Sequence, residues 1–498
     1  MTDGPSDETD LPEQVRVRRE KYDRLTAAGT PAFALGFPRT TTIADVRERF
    51  EGLETDSASG QTVSVAGRVV LYRTGGKLCF ATISEGESQL QVMVSLDGVG
   101  EERLAAWKTD VDLGDFVGVT GEVISSRRGE LSVLASDWQL LSKALRPMPD
   151  KHRGLTDPES RVRQRYLDLA VNASSRQMVR DRAAIVRSLR ETLHRHAFVE
   201  IETPTMHPVQ GGAAARRFTT HVNALDLDTT LRIELELYLK RAVVGGLDRV
   251  YEIGRIFRNE GIDATHFPEF TMLEAYEAYG DYNTMAELTR TLVLDAAHAV
   301  GRTVVPDGHG GDIDLEADWR HATIHDLVSE AVGTAVDPGT SLTDLVALAA
   351  KHDVALQPEW DEGEVLLELF EQLVEHTLLQ PTFVRDYPKS VRPLARNHRD
   401  DDRLVEAWDL VIAGVELAPA YTELVDPVEQ RRRLTEQSLK AAGGNPDAME
   451  LDEDFLRALE HGAPPMGGMG MGVDRLVMLL TGRPIRETIL FPLVKPLS

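Results

Sequence analysis

The chain has 498 residues, 55 Lys and Arg against 81 Asp and Glu for a formal charge of −26, one cysteine and 42% hydrophobic residues. That length and composition suit two or three folded domains with a sizeable core. The lone Cys79 excludes an internal disulfide, a paired-cysteine redox motif and a cysteine-rich zinc site, and the acidity argues against indiscriminate nucleic-acid binding through bulk charge, although a local basic face can still hold RNA. The opening MTDGPSDETDLPEQ is acidic and poor in apolar residues, the reverse of a secretory signal. Apolar runs such as Leu410 to Ala413 and Leu476 to Leu480 are far shorter than the roughly 20 residues that span a bilayer, so a soluble, cytoplasmic protein without a membrane segment is expected. Residues 1–12 read as disordered, and Pro12 to Ala28 reads as a helix with a thin apolar stripe of Val15, Tyr22 and Leu25.

From Val63 the texture changes to short β-branched runs, VSVAGRVVLYR, KLCFATIS, LQVMVSL, DFVGVTGEVIS and ELSVLASDWQLL, separated by Gly75-Gly76, Gly86 and Arg128-Gly129, with a helical interlude near Glu102 to Lys108. Five such strands predict a small Greek-key barrel of the OB-fold type, whose face commonly binds single-stranded nucleic acid. Lys143 to Arg190 is dense in arginine and carries Pro147, Pro149 and Pro158, a linker feeding a long helix; it reads either as a solvated charged surface or as a phosphate-holding one. The remainder mixes helices with strands such as RVYEIGRIF, EFTMLEAYEAY and AWDLVIAGVEL, which predicts a mostly antiparallel sheet with helices packed on it. The expected class is therefore α+β. Its divisions are an acidic tail and helical region over 1–58, the barrel over 59–146, a linker over 147–175 and a large domain over 176–498, with an acidic insertion at about 301–360.

Three segments of the large domain stand out. FVEIETPTM (Phe198 to Met206) leaves a helix and enters a strand that stops at Pro204. RIFRNEGIDATHFPEFTMLEAY places Arg258 and Glu260 two apart on one strand face, then a loop with His266 and a strand opening at Glu269-Phe270. GGMGMGVDRLVMLLTG carries glycines 468, 470 and 472 and then Arg475 at a helix start. Singly these are a boundary, a surface arginine and a glycine string. Together, in this order and behind a barrel, they resemble motifs 1, 2 and 3 of class II aminoacyl-tRNA synthetases. GGAAAR (Gly211 to Arg216), ELYLKR (Glu236 to Arg241), GLTDPESRVRQRYLDL and the terminal ILFPLVKP narrow the resemblance to lysyl-tRNA synthetases. GVELAPAYTEL with DPVEQRRRLTEQSL is most similar to the synthetase half of actinobacterial proteins that form lysyl-phosphatidylglycerol.

The resemblance implies a lysine–tRNA ligase that uses ATP with Mg2+, acts on lysine and tRNA(Lys), and forms a homodimer through motif 1. Activating an amino acid sets its carboxylate against the ATP α-phosphate, and Arg258 is the implied clamp because a guanidinium fork stays charged and spans both anions. By the same resemblance Glu260, His266, Phe270, Gly470, Gly472 and Arg475 join Arg258 in binding ATP, with Phe270 stacked on adenine and Arg475 on the γ-phosphate. Asp409 and Glu416 are the implied metal ligands; on one strand they would not share a face, which requires a bulge or twist near Gly414. The Gly212 carbonyl, Glu236 and Glu274 are implied to hold the lysine α-amino group, and Glu423 with Tyr276 its ε-ammonium. In the barrel Phe80, Gln91 and Glu130 are the implied anticodon readers, an aromatic platform and two base-edge partners. Four places depart from the family pattern: Pro419 replaces an asparagine beside the substrate carboxylate, Phe267 an asparagine after the motif 2 histidine, Glu234-Leu235 an Ala-Pro pair, and Arg217 a proline. They leave open a paralogue supplying lysyl-tRNA or a lysine analogue to lipid or secondary metabolism, and an inactive tRNA-binding regulator.

Overall fold

The computed structural model describes residues 12–149, 155–209, 215–442 and 451–496. The opening residues and Gly212 lie outside the described residues. The chain divides into two compact units, Met1–Ala173 and Ser174–Ser498.

In the first unit β1 (Ser57–Arg73), β2 (Leu78–Glu85), β3 (Ser88–Ser95), β4 (Phe116–Ser125) and β5 (Leu131–Ser142) pair in the closed order β1-β2-β3-β5-β4. Alternation sorts the side chains: Cys79, Ala81 and Ile83 on β2 and Leu90, Val92 and Val94 on β3 fill the interior. Phe80 and Gln91, on the opposite phase, face outward, so Phe80 is not barrel core. The helix Leu96–Asp110 sends Trp107 into the same core, edge-on to Trp138 at 5.0 Å between centroids. The predicted N-terminal helix forms as Glu13–Ala27 and docks through Val15, Leu25 and Arg18, whose guanidinium donates to the Ala144 and Leu113 carbonyls at 2.8 and 2.9 Å. In the arginine-rich stretch Arg161 and Arg165 converge on buried Asp168 at 2.9 and 2.7 Å, so these two form internal ion pairs.

The strands of the second unit are β6 (Val199–Glu200), β7 (Met206–His207), β8 (Thr219–Val222), β9 (Leu227–Leu231), β10 (Arg249–Phe257), β11 (Glu269–Ala278), β12 (Val304–Pro306), β13 (Asp312–Asp314), β14 (Arg320–Thr323), β15 (Thr382–Pro388), β16 (Leu404–Ile412), β17 (Val415–Thr422) and β18 (Met466–Gly472). Eight of them build one sheet in the order β14-β15-β16-β17-β18-β11-β10-β6, antiparallel except at the β14–β15 and β10–β6 edges. β7-β9-β8 form a small sheet and β12-β13 a hairpin. One face of the main sheet is closed by the helices Ala173–Arg195, Tyr282–Ala299 and Val473–Thr481, which bury Ile185, Leu189, Leu292 and Leu476 against Leu273, Met469, Met471 and Trp408. The other face is covered in two patches. The helix Glu236–Val244 lies over Val250 and Tyr276, and the helices Ile324–Val332 and Glu362–Leu373 lie over Val384, Ala407 and Val411.

Three local expectations change. The strand expected through Pro204 pairs only at Val199–Glu200, because the Thr203 N–H goes to Glu252 Oε2 at 2.9 Å instead of a neighbouring strand. AWDLVIAGVEL is two strands joined by the two-residue turn Ala413-Gly414, both at positive φ (54° and 71°), as a type I′ hairpin requires. Arg258 and Glu260 do not share a strand face: β10 ends at Phe257, and the Glu260 N–H turns back to the Arg258 carbonyl at 2.9 Å.

Candidate active site

Between the two helical patches, over β11, β18 and β17, lies a cavity of about 390 Å³ lined among others by Glu234, Glu236, Arg258, Glu274, Tyr276, Arg392, Glu416, Pro419, Tyr421, Glu423 and Gly470. Register explains its floor. Glu274 pairs with Gly470 and Tyr276 with Gly468, while Gly468 pairs with Tyr421 and Asp409 with Pro419, so these side chains rise from one face. The Met-Gly alternation of β18 sends Met469 and Met471 into the core and turns Gly468 and Gly470 toward the cavity. A Cβ at Gly468 would run into the Glu423 carboxylate and the Tyr276 ring, whereas one at Gly470 would meet nothing nearer than 3.7 Å.

One end of the cavity is acidic. Glu423 is buried, and burial pushes its carboxyl up to about 8 despite the facing Lys240 ammonium. Lys240, four residues after Glu236 on the same helix turn, ion-pairs with Glu236 at 2.6 Å and with Glu423; these carboxylates outweigh its burial and keep it charged. The sequence pointed to Glu236 and Glu423 but not to Lys240, although the spacing of four within ELYLKR was its signal. Burial raises Glu274 to about 7, with Glu236 adding to the effect. Its Oε1 accepts the Leu235 N–H at 3.0 Å and its Oε2 the Tyr276 hydroxyl at 3.0 Å. A proline at Leu235, the family's pattern, would have no hydrogen to give. Glu234 is buried, held well above the usual carboxylate range by desolvation and by Glu274, and caps the helix by accepting the Leu237 N–H at 3.2 Å.

The other end is cationic. Arg258 donates from Nε and Nη2 to the Ile233 carbonyl, both at 3.3 Å, and lies 5.4 Å from the centroid of Phe270. Arg475 donates to the Glu416 carbonyl at 2.6 Å and lies 3.3 Å from His266 Nε2; His266 Nδ1 is 2.9 Å from Asp263 Oδ2. Arg475, His266 and Phe270 are not among the lining of this cavity; Arg475 lines a neighbouring one of about 260 Å³, with Glu416 common to both. Glu260 is exposed in its loop, where its carboxylate accepts the Arg216 N–H at 3.3 Å. Phe267 is buried with Ile485 and Ile489, so it packs where the family's asparagine would present an amide.

Asp409 and Glu416 do come to one face through a bulge, as expected, although on two strands of a hairpin and not on one. The bulge lies opposite the Leu410–Val411 step, where Leu410 pairs with Ala418 and Val411 with Glu416, leaving Leu417 unpaired. The Asp409 carboxyl is raised by burial and by Glu416 against the opposing pull of Arg392. Asp409 Oδ2 accepts from Arg392 Nη2, and Oδ1 is buried beside the Tyr387 hydroxyl without a well-formed hydrogen bond. Among the described residues no cluster of three or more His, Cys, Asp or Glu side chains could hold a metal alone. Two facing carboxylates with a spare buried oxygen fit Mg2+, which takes its remaining ligands from phosphate and water.

On the barrel, Phe80 is half-buried beneath the Arg73 guanidinium at 5.4 Å, and Gln91 Nε2 donates to Ser132 Oγ at 2.9 Å. Gln91 pairs with Thr82, two residues from Phe80, which puts Gln91 and Phe80 on one outer face; Glu130 is exposed in the loop just before β5.

The family model of class II tRNA synthetases (D, K and N) matches residues 157–495, and that of the OB-fold nucleic acid binding domain matches residues 63–141. The chain belongs to the class II tRNA synthetases. Within that family it is 53% identical over 500 residues to a lysine–tRNA ligase of Kineococcus radiotolerans, covering all of both chains, and 51% identical to one of Mycolicibacterium gilvum, covering 99% of each. It is also 52% identical to the lysylphosphatidylglycerol biosynthesis bifunctional protein LysX of Nocardia farcinica, over 97% of this chain and 43% of that one.

Proposed function

We propose that the protein is a lysine–tRNA ligase, which joins lysine to AMP using ATP and passes the lysyl group to the 3′-terminal ribose of tRNA(Lys). The supporting observation is the single cavity lined by Glu236, Glu274 and Glu423 as well as by Arg258. Lysine carries two ammonium groups and one carboxylate, and it matches that polarity. Full-length similarity to lysine–tRNA ligases favours this reading over a lipid-pathway paralogue or a silent tRNA-binding protein.

Arg258 neutralises the carboxylate and α-phosphate as a carboxylate oxygen attacks phosphorus and the bond to pyrophosphate breaks. Arg475, braced by His266, holds the γ-phosphate; Phe270 stacks on adenine, and Glu260, Gly470 and Gly472 complete the nucleotide site. Asp409 and Glu416 would hold Mg2+, which supplies positive charge to the departing pyrophosphate. Glu236, Glu274 and the Gly212 backbone receive the α-amino group, and Glu423 with Tyr276 the ε-ammonium. The ribose hydroxyl then attacks the lysyl carbonyl and AMP leaves. Phe80, Gln91 and Glu130 read the anticodon from the 59–146 domain, and motif 1 supports a homodimer in the cytoplasm. Among the described residues no helix is long and apolar enough to cross a membrane.

Lysine-dependent ATP–pyrophosphate exchange is the test, followed by charging of tRNA(Lys) and a panel of lysine analogues. Exchange with lysine above all analogues is expected. Folded protein that exchanges with no amino acid would leave only the binding module, and preference for an analogue would favour the specialised paralogue.

A further inference from the structure

Arg392 has no part in the roles above, yet it lines the same cavity. Its side chain is held from two sides: Nη2 donates to Asp409 Oδ2, and the guanidinium lies 4.4 Å from the centroid of the Tyr387 ring. Its Nε is buried with no hydrogen-bond partner, which is unfavourable for a charged donor unless something else supplies an acceptor. Asp409, its anchor, stands directly across from Pro419 in the β16–β17 register. Pro419 also lines the cavity, and it has neither an N–H nor a polar side chain to offer a substrate oxygen. A half-buried arginine whose Nε is a spare, buried donor therefore sits next to Pro419, a lining position that cannot donate.

We propose that Arg392 is a second guanidinium clamp that binds an anionic oxygen of the substrates, supplying beside Pro419 the donor that Pro419 lacks. The oxygen belongs either to the amino-acid carboxylate or to the ATP phosphate next to it; the chemistry is the same and the test separates them. Asp409 and the Tyr387 ring hold the guanidinium in place, and its planar fork leaves donors free for the ligand. The inference rests on reading the cavity as the site for lysine and ATP, and wild-type binding checks that reading separately.

Calorimetric titrations of wild type and Arg392→Gln with lysine, lysinamide, AMP and adenosine decide it. Lysinamide lacks the carboxylate and adenosine the phosphate. A carboxylate clamp predicts that R392Q binds lysine about 10- to 100-fold more weakly while lysinamide changes less than about twofold. A phosphate clamp predicts the same split between AMP and adenosine. R392K keeps a cation beside Asp409 but loses the fork; it should fold as wild type and show a smaller loss of the same selective kind, and it decides the matter if R392Q does not fold. Equal losses for lysine and lysinamide together with equal losses for AMP and adenosine, or no loss at all, would overturn the clamp and leave Arg392 as a structural partner of Asp409. Wild-type protein that binds neither lysine nor AMP would instead overturn the reading of the cavity.

Discussion

Glu423 is where the chemistry of single side chains is most consequential, because it is a buried acid facing a cation that already belongs to the protein. Replacing it by glutamine keeps the shape and removes the carboxyl that can ionise to pair with an ammonium, so Glu423→Gln should raise the lysine KM in pyrophosphate exchange about 10- to 100-fold, leaving the ATP KM unchanged. Equal KM values in mutant and parent would remove the ε-ammonium assignment. Burial holds Glu423 near 8 and Glu274 near 7, with Glu234, Glu236, Tyr276 and Lys240 as the ionisable groups around them. Both acids are held above the usual carboxylate range, so protonation competes increasingly with ammonium binding as pH falls, and any proton they carry must be lost on binding. Lysine affinity should therefore rise as pH climbs from 6 to about 8, with protons released on binding, and fall again as first the α-ammonium and then the ε-ammonium of lysine deprotonates, the latter near its usual ~10.4. Titrations in buffers of different ionisation enthalpy measure the release; affinity flat across that range would contradict the burial of these acids.

Strand β18 shows how an element can carry two unrelated tasks on its two faces. Its methionines complete the core and its glycines clear the floor of the cavity, and the two glycines facing the cavity differ in what a methyl group would meet. Gly468→Ala pushes on Glu423 and Tyr276 and should lower both thermal stability and lysine affinity. Gly470→Ala has ordinary contact distances to its neighbours and should melt within about 2 °C of wild type, yet lose exchange activity because the methyl projects into substrate space. Thermal denaturation with exchange kinetics separates the two; equal destabilisation would show that the floor is packing alone. The Ala413-Gly414 hairpin is similarly specific, since a Cβ at Gly414 would come within 2.9 Å of the His376 carbonyl oxygen in addition to the positive φ.

Across the whole chain, the two compact units divide the proposed work, adenylate formation in the second and anticodon recognition in the first. Phe80→Ala, on the outer face of the barrel, should spare lysine-dependent exchange and lower kcat/KM for tRNA charging about 10- to 100-fold, the range expected for losing one stacked base. Parallel loss in both assays would remove the anticodon role. The barrel was legible from its sequence because period-two alternation and glycine breaks are local signals, and so was the order of the three synthetase segments. The hairpin inside AWDLVIAGVEL was concealed because its turn lies within an apolar run, where Ala413-Gly414 reads as strand until both φ values are known.

What the sequence determined unaided was local: the five alternating strand runs of the barrel, the order of the three synthetase segments, and the presence of a doubly acidic, arginine-bearing set. Only the tertiary structure decided who meets whom. Leu235 N–H engages Glu274, Lys240 stands between Glu236 and Glu423, and Arg392 reaches Asp409 beside Pro419. Periodicity reports the face a side chain takes on its own element; which charge lies opposite is set by strand register and by the packing of elements distant in sequence, and the strength of an ionic contact depends on that separation and on burial together.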